Sequence, residues 1–166
     1  LSVFQAISAF CNAGFDLFGN SLSDFKNDPY FLIVTAILII AGSFGFLVWQ
    51  DIVEYRCFHR MSLHTKLALR TGGVLVFLSI LVYLITEKNL SQFANEMSPI
   101  NRFINTIFMA ITPRTAGWTM IPYDLLSSAG ISYTTILMFI GGAPGSTAGG
   151  VKTTTIGLIA LQSIAT

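Results

Sequence analysis

Charge is scarce in this chain. Of 166 residues, nine are Lys or Arg and eight are Asp or Glu, 10% in all. With 53% apolar residues and a mean hydropathy of +0.70, so little charge points to a bilayer rather than water. A net charge of +1 leaves no electrostatic case for a nucleic-acid partner. Cysteine is sparse too. Cys11 and Cys57 fall on opposite sides of the membrane in the topology below, so two free thiols are expected and no disulfide. The two histidines, His59 and His64, lack a carboxylate or Cys pair at metal-ligand spacing and read as solvated loop residues. No Ser/His/Asp or paired-carboxylate constellation is apparent, so no catalysed chemistry and no cofactor are expected. The chain opens without Met inside an apolar segment and has no charged region with a cleavage site, so no signal peptide is expected. It also stops inside an apolar stretch. The reading is a part of a larger polypeptide, with function completed by repeats outside it.

What the chain does contain is a duplication. Shifted by 103 positions, Asn12-Ala13-Gly14-Phe15 falls on Thr115-Ala116-Gly117-Trp118 without a gap. Leu22, Tyr30, Ile33, Ile37, Gly42, Ser43 and Val48 meet identical residues at Leu125, Tyr133, Ile136, Ile140, Gly145, Ser146 and Val151. Each copy is a short apolar segment, a turn ending in a small residue, Gly and an aromatic, a polar loop, and a long apolar run. A repeat in a membrane chain sets equivalent groups around an axis. A short re-entrant helix followed by a Gly-containing loop can bring backbone carbonyls to bear on a desolvated ion.

Three apolar runs organise the chain. Pro29–Gln50 has 22 residues without Asp, Glu, Lys or Arg, enough for a bilayer that takes ~20, and is expected as one continuous span with Pro29 at a helix start. Thr71–Thr86 is a second, extendable back to Leu67 if Arg70 snorkels. Leu125–Val151 is a third, interrupted by Gly141-Gly142-Ala143-Pro144-Gly145-Ser146-Thr147-Ala148-Gly149-Gly150. Beyond Lys152 apolar character resumes through Ala165. The shorter segments Leu1–Cys11 and Ile100–Ile111 are expected to be re-entrant or buried, the latter opened by Ser98 as N-cap and Pro99 at the first helical position. Arg56, Arg60, Lys66 and Arg70 cluster between the first two spans, whereas the Ser21–Asp28 and Glu87–Ser98 loops each hold a single Lys. The positive-inside rule puts residues 51–66 in the cytoplasm. Both repeat turns then face the outer side.

Each candidate site has a plainer alternative. At Asn12-Ala13-Gly14 and Thr115-Ala116-Gly117, two residues of extended chain before a glycine, for which φ > 0 is open, would align carbonyls in one direction. The negative end of the preceding short helix favours a cation there. Either copy alone would pass for a helix C-cap; two in register argue for a site. In the Gly-rich stretch an interior Gly costs ~1 kcal/mol against Ala and Pro ~3, so the helix breaks, either as a gate lining a cavity or as a kink for close packing through Ser146 and Ala148. The stretch also fits G-x-x-x-x-G, but Val151 separates it from Lys152-Thr153 and no strand precedes it, which rejects a phosphate-binding loop. Two readings stand open for Lys152, a pore-facing ammonium that repels cations or a donor to carbonyls freed by the break. Arg114, Asp16 and Asp124 flank the two turns, and Arg114 is expected to prop the filter loop through an ion pair or to solvate at the outer mouth.

The triplets, the phrase Thr112-Pro113-Arg114-Thr115-Ala116-Gly117 and the stretch Gly142–Thr153 resemble the Trk/Ktr/HKT superfamily of potassium transporters. Ser8-Ala9-Phe10-Cys11-Asn12-Ala13-Gly14-Phe15-Asp16 is most similar to the KtrB-type membrane subunit. The resemblance covers nearly the whole chain and implies an all-α membrane protein of M1–P–M2 repeats, like a tetrameric potassium channel written in one polypeptide. Residues 1–66 would be pore helix, filter loop and M2 of the second repeat plus a cytoplasmic loop, and residues 67–166 would be M1, pore helix, filter loop and broken M2 of the third. It makes the carbonyls of Asn12, Ala13, Gly14, Thr115, Ala116 and Gly117 contributors to a potassium filter. It makes Gly141, Gly142, Ala143, Pro144, Gly145, Ser146, Thr147, Ala148, Gly149 and Gly150, with Lys152, an intramembrane gate. Trp118 replaces the commoner Phe and is expected to pack behind the filter. The resemblance further implies a multi-pass protein of the bacterial inner (plasma) membrane that takes up K+, with Na+ as an activator or coupled ion left open. Its partners would be the remaining repeats, a second copy in a homodimer, and a cytoplasmic nucleotide-binding regulatory subunit of the KtrA/TrkA type, docked on the basic loop around His59. The alternatives are an alternating-access cation transporter with its site at the broken helix, and a structural membrane subunit with no pathway of its own.

Overall fold

The computed structural model describes residues 1–55, 57–87, 98–122 and 125–165; Arg56, Lys88 and Asp124 lie outside them. Its α-helices are α1 (Ser2–Phe10), α2 (Pro29–Phe44), α3 (Phe46–Tyr55), α4 (Leu63–Thr86), α5 (Pro99–Ile111), α6 (Ser128–Phe139) and α7 (Thr153–Ala165). Four of the starts are written in side chains. Asp28 accepts the Phe31 N–H at 3.1 Å, Ser62 that of Thr65 at 3.3 Å, Ser98 that of Asn101 at 3.2 Å and Ser127 that of Gly130 at 3.0 Å. Each such cap is worth about 1 kcal/mol. Pro29 and Pro99 sit in the first turn, where no N–H is missed.

Helix α4 has 24 residues and, among those described, is the one helix long and apolar enough to cross a bilayer unaided. It starts at Leu63 rather than Leu67 because Ser62 caps it there. His64 is therefore a half-buried residue of its first turn, not of the loop. The run Pro29–Gln50 is not one continuous span. Gly45, at φ 78°, separates α2 from α3, and the two meet at 94°. The cause lies in the other copy of the repeat. A Cβ at Gly45 would come within 2.7 Å of the Pro144 carbonyl oxygen, and Phe46 N–H donates to Gly145 O at 3.3 Å.

The core forms where α2, α4, α5 and α6 converge, around Leu32, Ile39, Tyr83, Phe108, Trp118 and Leu137. Burying each such side chain stabilises by roughly 1.5–3 kcal/mol. Polar pairs tie α4 to α6: Ser79 Oγ and Tyr133 OH lie 3.1 Å apart, Tyr83 OH and Thr134 Oγ1 2.7 Å. At their shared end the buried Glu87 carboxylate accepts from Ser127 N–H and from Ser127 Oγ at 2.7 Å, an anion at the positive end of α6. The opposite faces of α4 and α7 are apolar and exposed, with Phe77, Ile85, Leu158 and Leu161 outward, as suits contact with lipid rather than water.

Candidate functional site

The two turns are alike in a way that differs from the expected extended approach to glycine. Asn12 and Gly14 have φ of 51° and 71°, and Thr115 and Gly117 have 80° and 79°. The left-handed residues are thus separated by an ordinary one, in register in both copies. Alternation of this kind turns successive peptide groups to one side, as in the backbone nests that line up N–H groups. Helix α1 ends by a Schellman pattern, Asn12 N–H to Ala9 O at 3.2 Å and Ala13 N–H to Ser8 O at 3.0 Å. Asn12, not Gly14, is therefore the capping residue. In the second copy Ala116 and Gly117 both send their N–H to Thr112 O, at 3.0 and 3.1 Å. With these amides committed to the helix end, the carbonyls point away from it. A β-branched residue such as Thr115 at positive φ stores about 1–3 kcal/mol of strain, and it persists only where the surroundings impose it.

The turns also meet. A Cβ on Gly14 would lie 2.6 Å from Ala116 O and 3.7 Å from the Gly117 Cα, and one on Gly117 would lie 3.9 Å from the Gly14 Cα. Their flanks are stitched together: Leu22 N–H donates to Thr119 O at 3.2 Å, Thr119 N–H to Ser21 Oγ at 2.9 Å, and Asn105 Nδ2 to Lys26 O at 2.8 Å. Each turn has a hydroxyl brace that pattern reading missed. Ser8 Oγ donates to Phe15 O at 2.8 Å, and Thr112 Oγ1 to Trp118 O at 2.6 Å. Ser8 and Thr112 differ by 104 positions, one off the repeat register, so the alignment hides them. Trp118 is fully buried behind its turn, as expected, whereas Phe15 is 69% exposed.

The Gly-rich stretch is a closed loop rather than a loose kink. Its neck is pinned by Gly141 N–H to Val151 O at 2.9 Å and Val151 N–H to Phe139 O at 3.0 Å. Its body docks on the first copy, with Ala143 N–H to Ser43 O at 2.9 Å and Thr147 N–H to Gly42 O at 3.3 Å. Thr147 Oγ1 lies 2.9 Å from Asn12 Nδ2, 3.0 Å from Phe10 O and 3.2 Å from Gly42 O. The loop therefore hangs directly from the end of α1 and its turn. At Gly42 an added methyl would land on Phe10 O, and at Gly141 on Gly149 O.

A family model described as TrkH, cation transport protein, matches residues 2–166. The chain belongs to the TrkH family. It is 46% identical over 162 residues to the potassium/sodium uptake protein NtpJ of Enterococcus hirae, covering 97% of this chain and 36% of that protein. It is 37% identical to the Ktr system potassium uptake protein B of Bacillus subtilis, covering 99% of this chain and 37% of that protein. The chain thus spans about a third of the length of the curated relatives it matches. The crystal structure of the potassium transporter TrkH from Vibrio parahaemolyticus superposes with a TM-score of 0.74 at 20% identity, over 95% of this chain and 33% of that one. The fold is that of an all-α membrane protein built of M1–P–M2 repeats. In this TrkH-family chain α1 precedes the pair α2–α3, bent at Gly45, and α4 and α5 precede the interrupted pair α6–α7.

Two charged groups of the TrkH-family segment take places the sequence left undecided. Arg114 neither pairs with a carboxylate among the described residues nor solvates at the mouth. Arg114 is half-buried with its Nε enclosed, and Nη2 donates to Gly141 O at 3.2 Å, beside a cavity of about 310 Å³ between α2 and α4. The cause is geometric: Arg114 sits one turn past α5, where the loop's neck passes and offers an unpaired carbonyl. Lys152 Nζ donates to Ala148 O at 2.8 Å, so of its two readings the bond to a carbonyl freed by the break is present. Asp16 Oδ1 accepts Gly19 N–H at 2.9 Å and shapes the chain after the first turn. Cys11 and Cys57 are both free and exposed.

Proposed function

We propose that this segment supplies two of the pore-lining repeats of a bacterial inner-membrane potassium uptake protein. Residues 1–66 and 67–166 each contribute one filter turn. The carbonyls of Asn12, Ala13 and Gly14 and of Thr115, Ala116 and Gly117 replace the hydration shell of K+, and the loop Gly141–Gly150, tethered by Lys152 and Arg114, controls flux. The remaining repeats of the longer polypeptide complete the ring, a second copy and a cytoplasmic nucleotide-binding subunit assemble with it, and no chemistry is catalysed. The names of the relatives support potassium as cargo, with sodium named beside it for NtpJ, and the Ktr system name supports a membrane subunit that works with others. The observation that carries the reading is the pair of left-handed positions repeated in register, one of them a strained Thr115, on two turns in mutual contact. The same left-handed geometry kept twice at matched positions, at the cost of strain at Thr115, argues for a task that ordinary helix caps lack. The test is Gly117→Ser in the full-length protein, assayed as K+ against Na+ uptake in cells lacking other potassium transporters. Preference for K+ should fall by about tenfold or more, the loss expected when about 1.4 kcal/mol of differential binding is removed. Normal membrane abundance with unaltered preference would overturn the filter assignment.

A further inference from the structure

Helices α4 and α7 touch closely at Gly157, where an added methyl would strike Thr71. Around that contact the two helices line a groove of about 380 Å³. Its walls are almost wholly apolar, formed by Leu67, Thr71 and Val74 of α4 and by Ala160, Leu161 and Ile164 of α7. Lys66 and Arg70 line the same groove. They are four residues apart and so share one face of α4, at the end of the helix that the charge pattern puts on the cytoplasmic side.

Both cations are held in place with capacity to spare. Lys66 Nζ gives one of its three protons to His59 O at 2.7 Å. The Arg70 guanidinium lies 5.5 Å from the centroid of the Phe58 ring and has no hydrogen-bond partner among the described residues. No carboxylate lines the groove. Asp51, on the neighbouring α3, already accepts from Ser62 Oγ and, at 2.6 Å, from Thr65 Oγ1. An apolar trough with unpaired positive charge at one end, lying at the membrane boundary, is the complement of an amphiphile with an anionic head.

We propose that the α4–α7 groove is a binding site for an anionic phospholipid of the inner leaflet, with an acyl chain along the trough and the phosphate against Lys66 and Arg70. The site depends on the chain lying in a membrane and not on the filter assignment, so lipid binding and ion selectivity fail separately. The experiment uses the full-length protein, delipidated and titrated with phosphatidylglycerol or phosphatidylcholine of the same chain length, with bound lipid counted by native mass spectrometry. Phosphatidylglycerol should be retained in preference. The double variant Lys66→Gln/Arg70→Gln should bind it about thirtyfold more weakly, the loss expected when two cations near an anionic head are removed, while phosphatidylcholine binding stays as it was. The charge-keeping swap Lys66→Arg/Arg70→Lys should restore retention and control for folding. Ala160→Trp, which fills the trough and leaves both cations, should also weaken phosphatidylglycerol binding, and glycerol phosphate should not compete. Equal retention of the two lipids would overturn the proposal, including the case in which another helix of the polypeptide fills the groove. So would undiminished phosphatidylglycerol binding in the double variant or in Ala160→Trp, or displacement by glycerol phosphate, which would mark a site for free phosphate instead.

Discussion

The long apolar run of each repeat carries the same Gly-Ser pair, Gly42-Ser43 in the first copy and Gly145-Ser146 in the second, but the two copies fold differently around it. In α2 the pair is still helical, and the break follows at the single residue Gly45. In the second copy the helix has already ended at Phe139 and Gly145 sits in mid-loop at φ 74°. The cause is in the aligned neighbours. Where the first copy has Leu38, Ile39, Ala41, Phe46 and Leu47, the second has Gly141, Gly142, Pro144, Gly149 and Gly150. At about 1 kcal/mol for each glycine and 3 for the proline, helix there costs more than the neighbouring turns return. The unwound chain then satisfies its freed N–H groups on the intact one, at the carbonyls of Gly42 and Ser43. A duplication thus diverged into a loop and a surface that receives it.

The largest difference between the copies should appear when a methyl is put on each glycine of the pair. In Gly42→Ala the new carbon lands on the Phe10 carbonyl, backbone against backbone with nothing flexible to yield. The full-length protein should fail to accumulate in membranes or lose several kcal/mol of stability, as overpacking at a rigid contact does. Gly145→Ala meets only the Phe46 ring, at 2.8 Å, which can swing aside. Its cost should be the left-handed backbone alone, about 1–2 kcal/mol, with normal abundance. Thermal unfolding and membrane abundance of the two variants decide it: a Gly42→Ala protein as stable as Gly145→Ala would mean that α1 and α2 do not pack as closely as described.

Much of this is legible in the sequence. The repeat, the short helices α1 and α5, the cap at Ser98, the helix start at Pro29 and the disruption at Gly141–Gly150 all follow from local residue chemistry, and local chemistry was enough. What sequence could not supply came from contacts between the copies. Gly42 and Gly45 in an otherwise apolar run are tolerated in most helices; here the chain bends at Gly45 because the other copy's loop needs the space beside it. Thr115 is β-branched and carries no sign of a left-handed backbone. It adopts one because Thr112 O captures the two following N–H groups. Arg114 follows the same rule, since its acceptor, Gly141 O, lies 27 positions away on a loop whose path no periodicity describes.

Thr147 stands at the joint between the copies, and its aligned partner in the first copy is Phe44, so no equivalent exists there. Its hydroxyl stands between Asn12 Nδ2 and the carbonyls of Phe10 and Gly42. Thr147→Val keeps the shape and removes the hydroxyl. A net hydrogen bond is worth about 1 kcal/mol, so a loop that gates should open several-fold to about tenfold more often. Potassium uptake by the full-length protein in transport-deficient cells should rise accordingly. Unchanged uptake at equal abundance would leave the loop as packing and remove it from control of flux.

The smallest effect is expected from the two hydroxyl braces, and there the copies should differ in degree. Thr112→Val strands the Trp118 carbonyl beside an indole with no exposed surface, and a buried acceptor left unpaired costs about 1–3 kcal/mol. Ser8→Ala strands the Phe15 carbonyl, but Phe15 is exposed in this segment, so water can replace the lost donor and the cost should stay below about 1 kcal/mol. Selectivity and unfolding temperature of the full-length variants should therefore fall further for Thr112→Val than for Ser8→Ala. Equal losses would mean that Phe15 is enclosed in the complete protein by chain lying outside this segment. No loss at Thr112 would show that the packed indole alone fixes the second turn.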